Sequence, residues 1–342
     1  MMDCGGQNSD RAALIGEFLA AAGWGTAERR TLAGDASFRR YDRLARGGES
    51  VVLMDAPPPH EDVRPFLAVA GILRGLGLSA PRIMAQDIAD GLLLLEDLGD
   101  GTYTRLLAAG ADETALYALA VDALIDMQRR FDPAAASLPP YDEARLLAEA
   151  ALLIDWYVPA MTGEAAPESL KDSYLAAWRA VLPHAAGAAT TLVLRDYHVD
   201  NLLHLPQRPG VAACGLLDFQ DAVLGPASYD LVSLLEDARR DVPSTLAEQM
   251  IERYLAAFPG IDRAAFLASY AVLGAQRNCK IVGIFTRLWR RDGKPQYLPH
   301  IVRVWRLIER DLTHPALAPI ADWLAHYVPS ELRGIPPRRD AA

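Results

Sequence analysis

The chain has 342 residues, 51% of them apolar, with 34 basic against 44 acidic residues and a net charge of −10. That is enough for a sizeable core and too long for a single one. With no basic run, the charge excludes an electrostatic nucleic-acid binder.

The cysteines, Cys4, Cys214 and Cys279, are odd in number and far apart. They exclude a disulfide framework or zinc cage and fit a reducing cytoplasm. The apolar stretch 12–24 is interrupted by Glu17, no basic run precedes it, and no apolar run reaches membrane-spanning length. A cytoplasmic protein that engages no membrane is expected.

In chain order, Ser9 or Asp10 is placed to cap a helix reaching about Ala22. Strand-like runs follow at Phe38 to Leu44, after the turn-rich residues 33–37, and at Ser50 to Asp55. Beyond Pro57 to Pro59 a helix is expected from Asp62 to Leu76, then strands Ile83 to Asp87 and Leu92 to Glu96 joined at Ala89-Asp90-Gly91. The glycine-rich segment 98–101 reads as a linker. Helical periodicity then covers Asp112 to Arg130, Glu143 to Trp156 and Glu168 to Leu182. Strand-like Thr191 to Leu194 and Val211 to Leu217 interrupt it. Helices resume at Tyr229 to Ala238, Thr245 to Ala257, Arg263 to Arg290 and Gln296 to Leu312, and a frayed tail is expected from Pro336.

The order predicts an α+β, bilobal, protein-kinase-like fold. A small antiparallel-sheet N-lobe over 1–98 would bind nucleotide, with a hinge near 96–101. A large, mainly helical C-lobe over 99–342 would hold the catalytic and substrate groups.

Two short motifs carry chemistry. Leu194-Arg195-Asp196-Tyr197-His198-Val199-Asp200-Asn201 has the R-D-x-x-x-x-N form of a phosphotransferase catalytic loop. Asp218, seventeen positions after Asn201, opens Asp218-Phe219-Gln220 after Leu217, a D-F-G-like element ending in Gln. Phosphoryl transfer needs a carboxylate to orient or deprotonate the attacking hydroxyl, and hard oxygen ligands to hold Mg²⁺ against the nucleotide phosphates. Asp196 therefore reads as the base, and Asn201 and Asp218 as metal ligands. Singly, each element occurs by chance. Together, each following a strand-like run at a separation that suits a hairpin, they predict a Mg²⁺-dependent phosphotransferase. The catalytic loop lacks the leading His of protein kinases, and no A-P-E segment follows Asp218.

At this point the sequence resembles the aminoglycoside phosphotransferase and choline kinase superfamily. Within it, the chain is similar to the bacterial anomeric kinases of N-acetylmuramate and N-acetylglucosamine that act in peptidoglycan recycling. The resemblance rests on residues 34–41 (GDASFRRY), 93–99 (LLLEDLG), 194–203 (LRDYHVDNLL) and 217–231 (LDFQDAVLGPASYDL), with Gln276-Arg277-Asn278 and Lys280 to Phe285 pointing to the subgroup. It implies ATP as donor, an amino sugar as acceptor and a sugar α-1-phosphate as product. It also implies Glu96 to Leu98 as the adenine-facing hinge, and Asp230 as a structural aspartate.

Two departures stand out. The run Val51-Val52-Leu53-Met54-Asp55 lacks the phosphate-binding lysine usual in the superfamily. Arg39 and Arg40 are the candidate substitutes, unless they form a solvated strand face, and the backbone of Gly34, Ala36, Ser37 and Phe38 is a candidate phosphate cradle. Gln220 stands where many relatives carry an acid, which leaves the metal count open. For the acceptor, the candidates are His198, either contacting substrate or bracing its loop; Tyr157, either core or a sugar-stacking face; and Arg277 with Lys280, near one helix face, either pairing with a substrate carboxylate or solvated. A kinase for another small alcohol or an aminoglycoside shares the whole catalytic argument, and a non-catalytic, pseudokinase-like binding protein, suggested by the missing lysine, is the rival from a different class.

Overall fold

The computed structural model describes residues 4–32 and 38–337, with 4–9 described as backbone. Helix α1 (Cys4–Ala21) precedes β1 (Glu28–Thr31), β2 (Arg40–Arg46), β3 (Glu49–Asp55), α2 (Arg64–Gly75), β4 (Ile83–Asp87) and β5 (Leu92–Glu96). Then come α3 (Tyr103–Ala108), α4 (Glu113–Arg130), α5 (Glu143–Ala150), a π-helical turn (Leu153–Tyr157), α6 (Val158–Thr162) and α7 (Glu168–Val181). Four short strands follow: β6 (Thr190–Val193), β7 (Leu202–His204), β8 (Cys214–Leu216) and β9 (Val223–Pro226). The chain continues through α8 (Tyr229–Leu235), α9 (Ser244–Ala257), α10 (Arg263–Arg290), α11 (Ile301–Asp311) and α12 (Ala318–Tyr327). The expected tail residues 338–342 lie outside the described residues.

Two compact units result: Met1–Ala111 with Asp200–Asp221, and Asp112–Val199 with Ala222–Ala342. The chain therefore does not divide once near 96–101. Residues 200–221 join the first unit because their hairpin is bonded into it. The Leu216 N–H donates to Ser79 O at 2.9 Å, the Ser79 hydroxyl donates to Ala212 O at 2.6 Å, and the His204 N–H donates to Gly101 O at 2.9 Å.

The first unit is built on a five-stranded antiparallel sheet in the order β1-β2-β3-β5-β4. The Leu92-Leu93-Leu94-Leu95 run is buried throughout, so β5 is covered on both faces. Leu92 and Leu94 pack with Leu53, Val51 and the α1 residues Ile15 and Leu19. Gly91 closes the β4–β5 turn at φ +65°, and a Cβ there would lie 2.0 Å from Ala56 O, so glycine is required twice over. Strand β1 escaped the sequence reading because Glu28–Thr31 is exposed at every position, an edge with no apolar alternation. Helix α1 starts at Cys4, ahead of the expected cap at Ser9 or Asp10.

The second unit is organised around the 28-residue α10. The Asp262 side chain accepts from the N–H groups of Ala264 and Ala265 and caps it. Gly283 lets α10 approach the turn after α5: a Cβ there would lie 2.3 Å from the Leu152 carbonyl carbon. The stretch expected as one helix from Glu143 to Trp156 is instead α5 followed by the π-turn.

The hairpin expected between the two motif strands is also rearranged. Thr190–Val193 pairs with β9, a strand absent from the expected elements, while Leu202–His204 pairs with Cys214–Leu216.

Candidate active site

Strand β6 runs directly into the Arg195-Asp196 motif. At Arg195 the backbone turns left-handed, φ +70°, which costs a non-glycine residue about 1–2 kcal/mol. Helix α8 holds it there. The N–H groups of Leu194 and Arg195 donate to the two oxygens of Asp230 at 2.7 and 2.9 Å, and the Ser233 hydroxyl donates to Arg195 O at 3.0 Å. Asp230 is fully buried, and burial pushes its carboxyl up to about 7 against the pull of the two N–H groups. These two bonds tie the turn to α8.

Asp196 follows, part-exposed, its N–H bonded to Leu194 O at 2.9 Å. Burial acts to raise its carboxyl, but the charges of Lys280, Arg277 and Arg195, joined by His198 only when that ring is protonated, outweigh it and hold the group below the ordinary carboxylate value. His198 is buried and shifts the other way: desolvation, only partly countered by Asp237 and Asp196, lowers it. At neutral pH the pair is an ionised carboxylate beside an uncharged imidazole. Arg277 is buried, with Nη1 3.4 Å from Glu236 O. Lys280 Nζ lies 3.0 Å from Glu149 Oε1, and that oxygen also takes the Arg195 guanidinium. Glu149 had no signal in the sequence, since its partners stand 46 and 131 positions away.

The other half of the motif lies in the first unit. The Leu217 N–H donates to Asn201 O at 2.9 Å, and Asn201 Nδ2 is 3.4 Å from Asp218 Oδ2. Asp218 is also left-handed, φ +56°, and Gln220 Nε2 donates to its Oδ1 at 2.7 Å. Phe219 is buried and stacked on Phe66 of α2, centroids 4.8 Å apart, which anchors the residue beside Asp218. Among the described residues no cluster of three or more His, Cys, Asp or Glu forms a closed metal cage. The converging Asn201 amide and Asp218 carboxylate are an oxygen-bearing, open donor set, which suits Mg²⁺ shared with substrate phosphates.

The two candidate arginines separate. Arg39 is buried, with Nη2 3.7 Å from Asp218 Oδ1 and Nε 3.8 Å from Glu61 Oε2. Arg40 is exposed at the start of β2. Gly34, Ala36 and Ser37 lie outside the described residues. The N–H of Phe38, expected in the phosphate cradle, donates to Glu61 Oε1 at 3.1 Å, and its ring stacks on His60. In the hinge segment, the Glu96 N–H is committed to Arg82 O at 2.8 Å and its carboxylate to Arg208 at 2.8 Å, while Leu98 is half-buried. Tyr157 is fully buried: its hydroxyl donates to Leu332 O at 2.6 Å and accepts from Trp305 Nε1 at 2.9 Å. It therefore serves to pack the C-terminal segment, and no sugar face is left to it.

A sheet unit carrying an Asn–Asp oxygen pair, and a helical unit presenting a charged carboxylate on a strained turn, define a kinase-like phosphotransferase. The chain belongs to the phosphotransferase enzyme family, whose model matches residues 28–267. An N-acetylmuramate/N-acetylglucosamine kinase of Caulobacter vibrioides is 40% identical, covering 95% of this chain and 99% of that protein. The Pseudomonas aeruginosa kinase of the same name is 41% identical over 90% and 92%. A choline/ethanolamine kinase family protein of Mesorhizobium loti shares the fold, with a TM-score of 0.62 at 14% identity over 92% and 99%.

Proposed function

We propose that this chain is an ATP- and Mg²⁺-dependent kinase that phosphorylates the anomeric hydroxyl of N-acetylmuramate and N-acetylglucosamine, giving the α-1-phosphate in cytoplasmic peptidoglycan recycling. The observation that carries it is Asp196, a part-exposed carboxylate kept ionised by surrounding cations, five residues before the first member of the Asn201–Asp218 pair. The amino-sugar acceptor is supported by the names of the two bacterial relatives.

Asp196 accepts the proton of the acceptor hydroxyl. A carboxylate held below its ordinary value is a weak base, which suits an anomeric hydroxyl because it is more acidic than other sugar hydroxyls. His198, uncharged, supplies a hydrogen bond to the acceptor or braces the loop. Asn201 and Asp218 would hold magnesium, which when bound offsets the charge of the β- and γ-phosphates. Lys280 is already neutralised by Glu149, so the buried Arg277 is the stronger partner for a substrate carboxylate.

Arg39 takes the place of the missing strand lysine. Glu61 holds it as the helix glutamate holds the lysine in other kinases. Arg39→Ala should raise the nucleotide KM about 10- to 100-fold, the worth of one charged hydrogen bond of about 1.5–3 kcal/mol, while Arg40→Ala changes it less than about twofold. Equal effects at both positions would reject the assignment.

The test of function is incubation with Mg-ATP and N-acetylmuramate, with the product read by phosphorus–proton NMR. The expected phosphate couples to H1; coupling to H6 overturns the anomeric claim. ADP release with choline or an aminoglycoside but with neither amino sugar overturns the substrate class. No Mg-ATP binding and no turnover would favour a non-catalytic binder.

A further inference from the structure

Glu149, on α5, is drawn into the catalytic turn by three side-chain contacts, two of them long-range. Its Oε1 takes both the Arg195 guanidinium and the Lys280 ammonium, the latter at 3.0 Å, and its Oε2 accepts from the Tyr141 hydroxyl at 2.5 Å. The carboxylate side chain is only 12% exposed, an expensive place for a charge unless it is paired. Burial acts to raise its carboxyl, and the two cations hold it below the ordinary value.

Arg195 is thereby fixed at all three of its polar groups: its N–H by Asp230, its carbonyl by Ser233, its guanidinium by Glu149. Arg195 directly precedes Asp196, and the Lys280 charge, first among the cations near it, favours the ionised form of Asp196. We propose that Glu149 is a positioning residue for the transfer reaction, locking the Arg195 side chain and the Lys280 ammonium so that the turn bearing Asp196 is held in register. The inference rests on the reading of Asp196 as base. The titratable groups acting on Asp196 include Lys280 and Arg277 of α10, Arg195 and His198 of its own loop, and Asp230 of α8.

The experiment compares Glu149→Gln, Lys280→Met and the double variant. Glu149→Gln should lower kcat about 10- to 100-fold, the scale of an ångström-sized misplacement, with the nucleotide KM within about twofold, and Glu149→Asp should recover part of the loss. Lys280→Met removes the leading cation, so burial raises Asp196 and the acid limb of kcat/KM moves to higher pH. Because Glu149 acts through Lys280, adding Glu149→Gln to Lys280→Met should cost much less than it does alone. If Glu149→Gln does not fold, Tyr141→Phe, which removes one hydrogen bond to the same carboxylate, should give a smaller fall in kcat in the same direction. Wild-type kcat in Glu149→Gln, or in Tyr141→Phe if that variant has to stand in, overturns the proposal. So do strictly additive losses with an unmoved acid limb. A silent Glu149→Gln beside an inactive Asp196→Ala sinks the positioning role alone, whereas an active Asp196→Ala sinks the base assignment beneath it.

Discussion

Asp196→Ala should lose about 10²- to 10⁴-fold in kcat, the range for removal of a general base, while Mg-ATP affinity stays within about twofold. Isothermal titration with a non-hydrolysable nucleotide, run beside steady-state ADP release, separates the two quantities. The separation is expected because Asp196 and its neighbours Lys280, Arg277 and His198 all belong to the helical unit, whereas Asn201, Asp218 and Arg39 belong to the sheet unit. The pH profile carries a second, signed expectation. Its neighbours hold Asp196 below the ordinary value of 3.8, so the base is charged from there upward. The base is therefore half-protonated only below that value, and no acid limb near neutrality comes from this group. Near-normal turnover in Asp196→Ala would remove the proposed role.

Asp218→Asn is the second large effect. Asparagine tolerates the left-handed backbone that position 218 adopts at φ +56° nearly as well as aspartate does, so this variant removes charge and leaves the turn intact. Alanine would mix the two effects. The expected loss is about 10²- to 10⁴-fold in kcat, the several kcal/mol a catalytic cation supplies. Weakened Mn²⁺ binding, read by electron paramagnetic resonance in the presence of nucleotide, should accompany it. Arg39 and Gln220 both approach Asp218 Oδ1, at 3.7 and 2.7 Å, and an amide there exchanges a charged partner for a neutral one. Wild-type activity with unchanged Mn²⁺ affinity would exclude Asp218 as a ligand.

Both effects fall on residues legible in the sequence, and the reason is distance along the chain. Asp196 and Asn201 share one loop, and Asp218 follows directly on β8 and Leu217, so their spacing survives in the linear text. The same holds for β4 and β5, whose boundaries match the expectation because a buried leucine run and a glycine turn are local signals. Elements without such signals escaped. Strand β1 is exposed at all four positions, and β9 carries Gly225 and Pro226.

By itself, then, the sequence determined the elements with local signals, the transferase motif and the absence of the strand lysine, all written in contiguous residues. Only the tertiary structure decided which arginine stands near Asp218, because the choice between Arg39 and Arg40 depends on which face of the chain meets Glu61. It also decided that Tyr157 anchors the C-terminal segment, through a bond to a carbonyl 175 positions away. And it decided what grips the catalytic turn: Asp230 and Glu149 reach Arg195 across 35 and 46 positions. Such contacts are set by how helices pack, and side-chain pairing across that separation leaves no periodicity or spacing to read in advance.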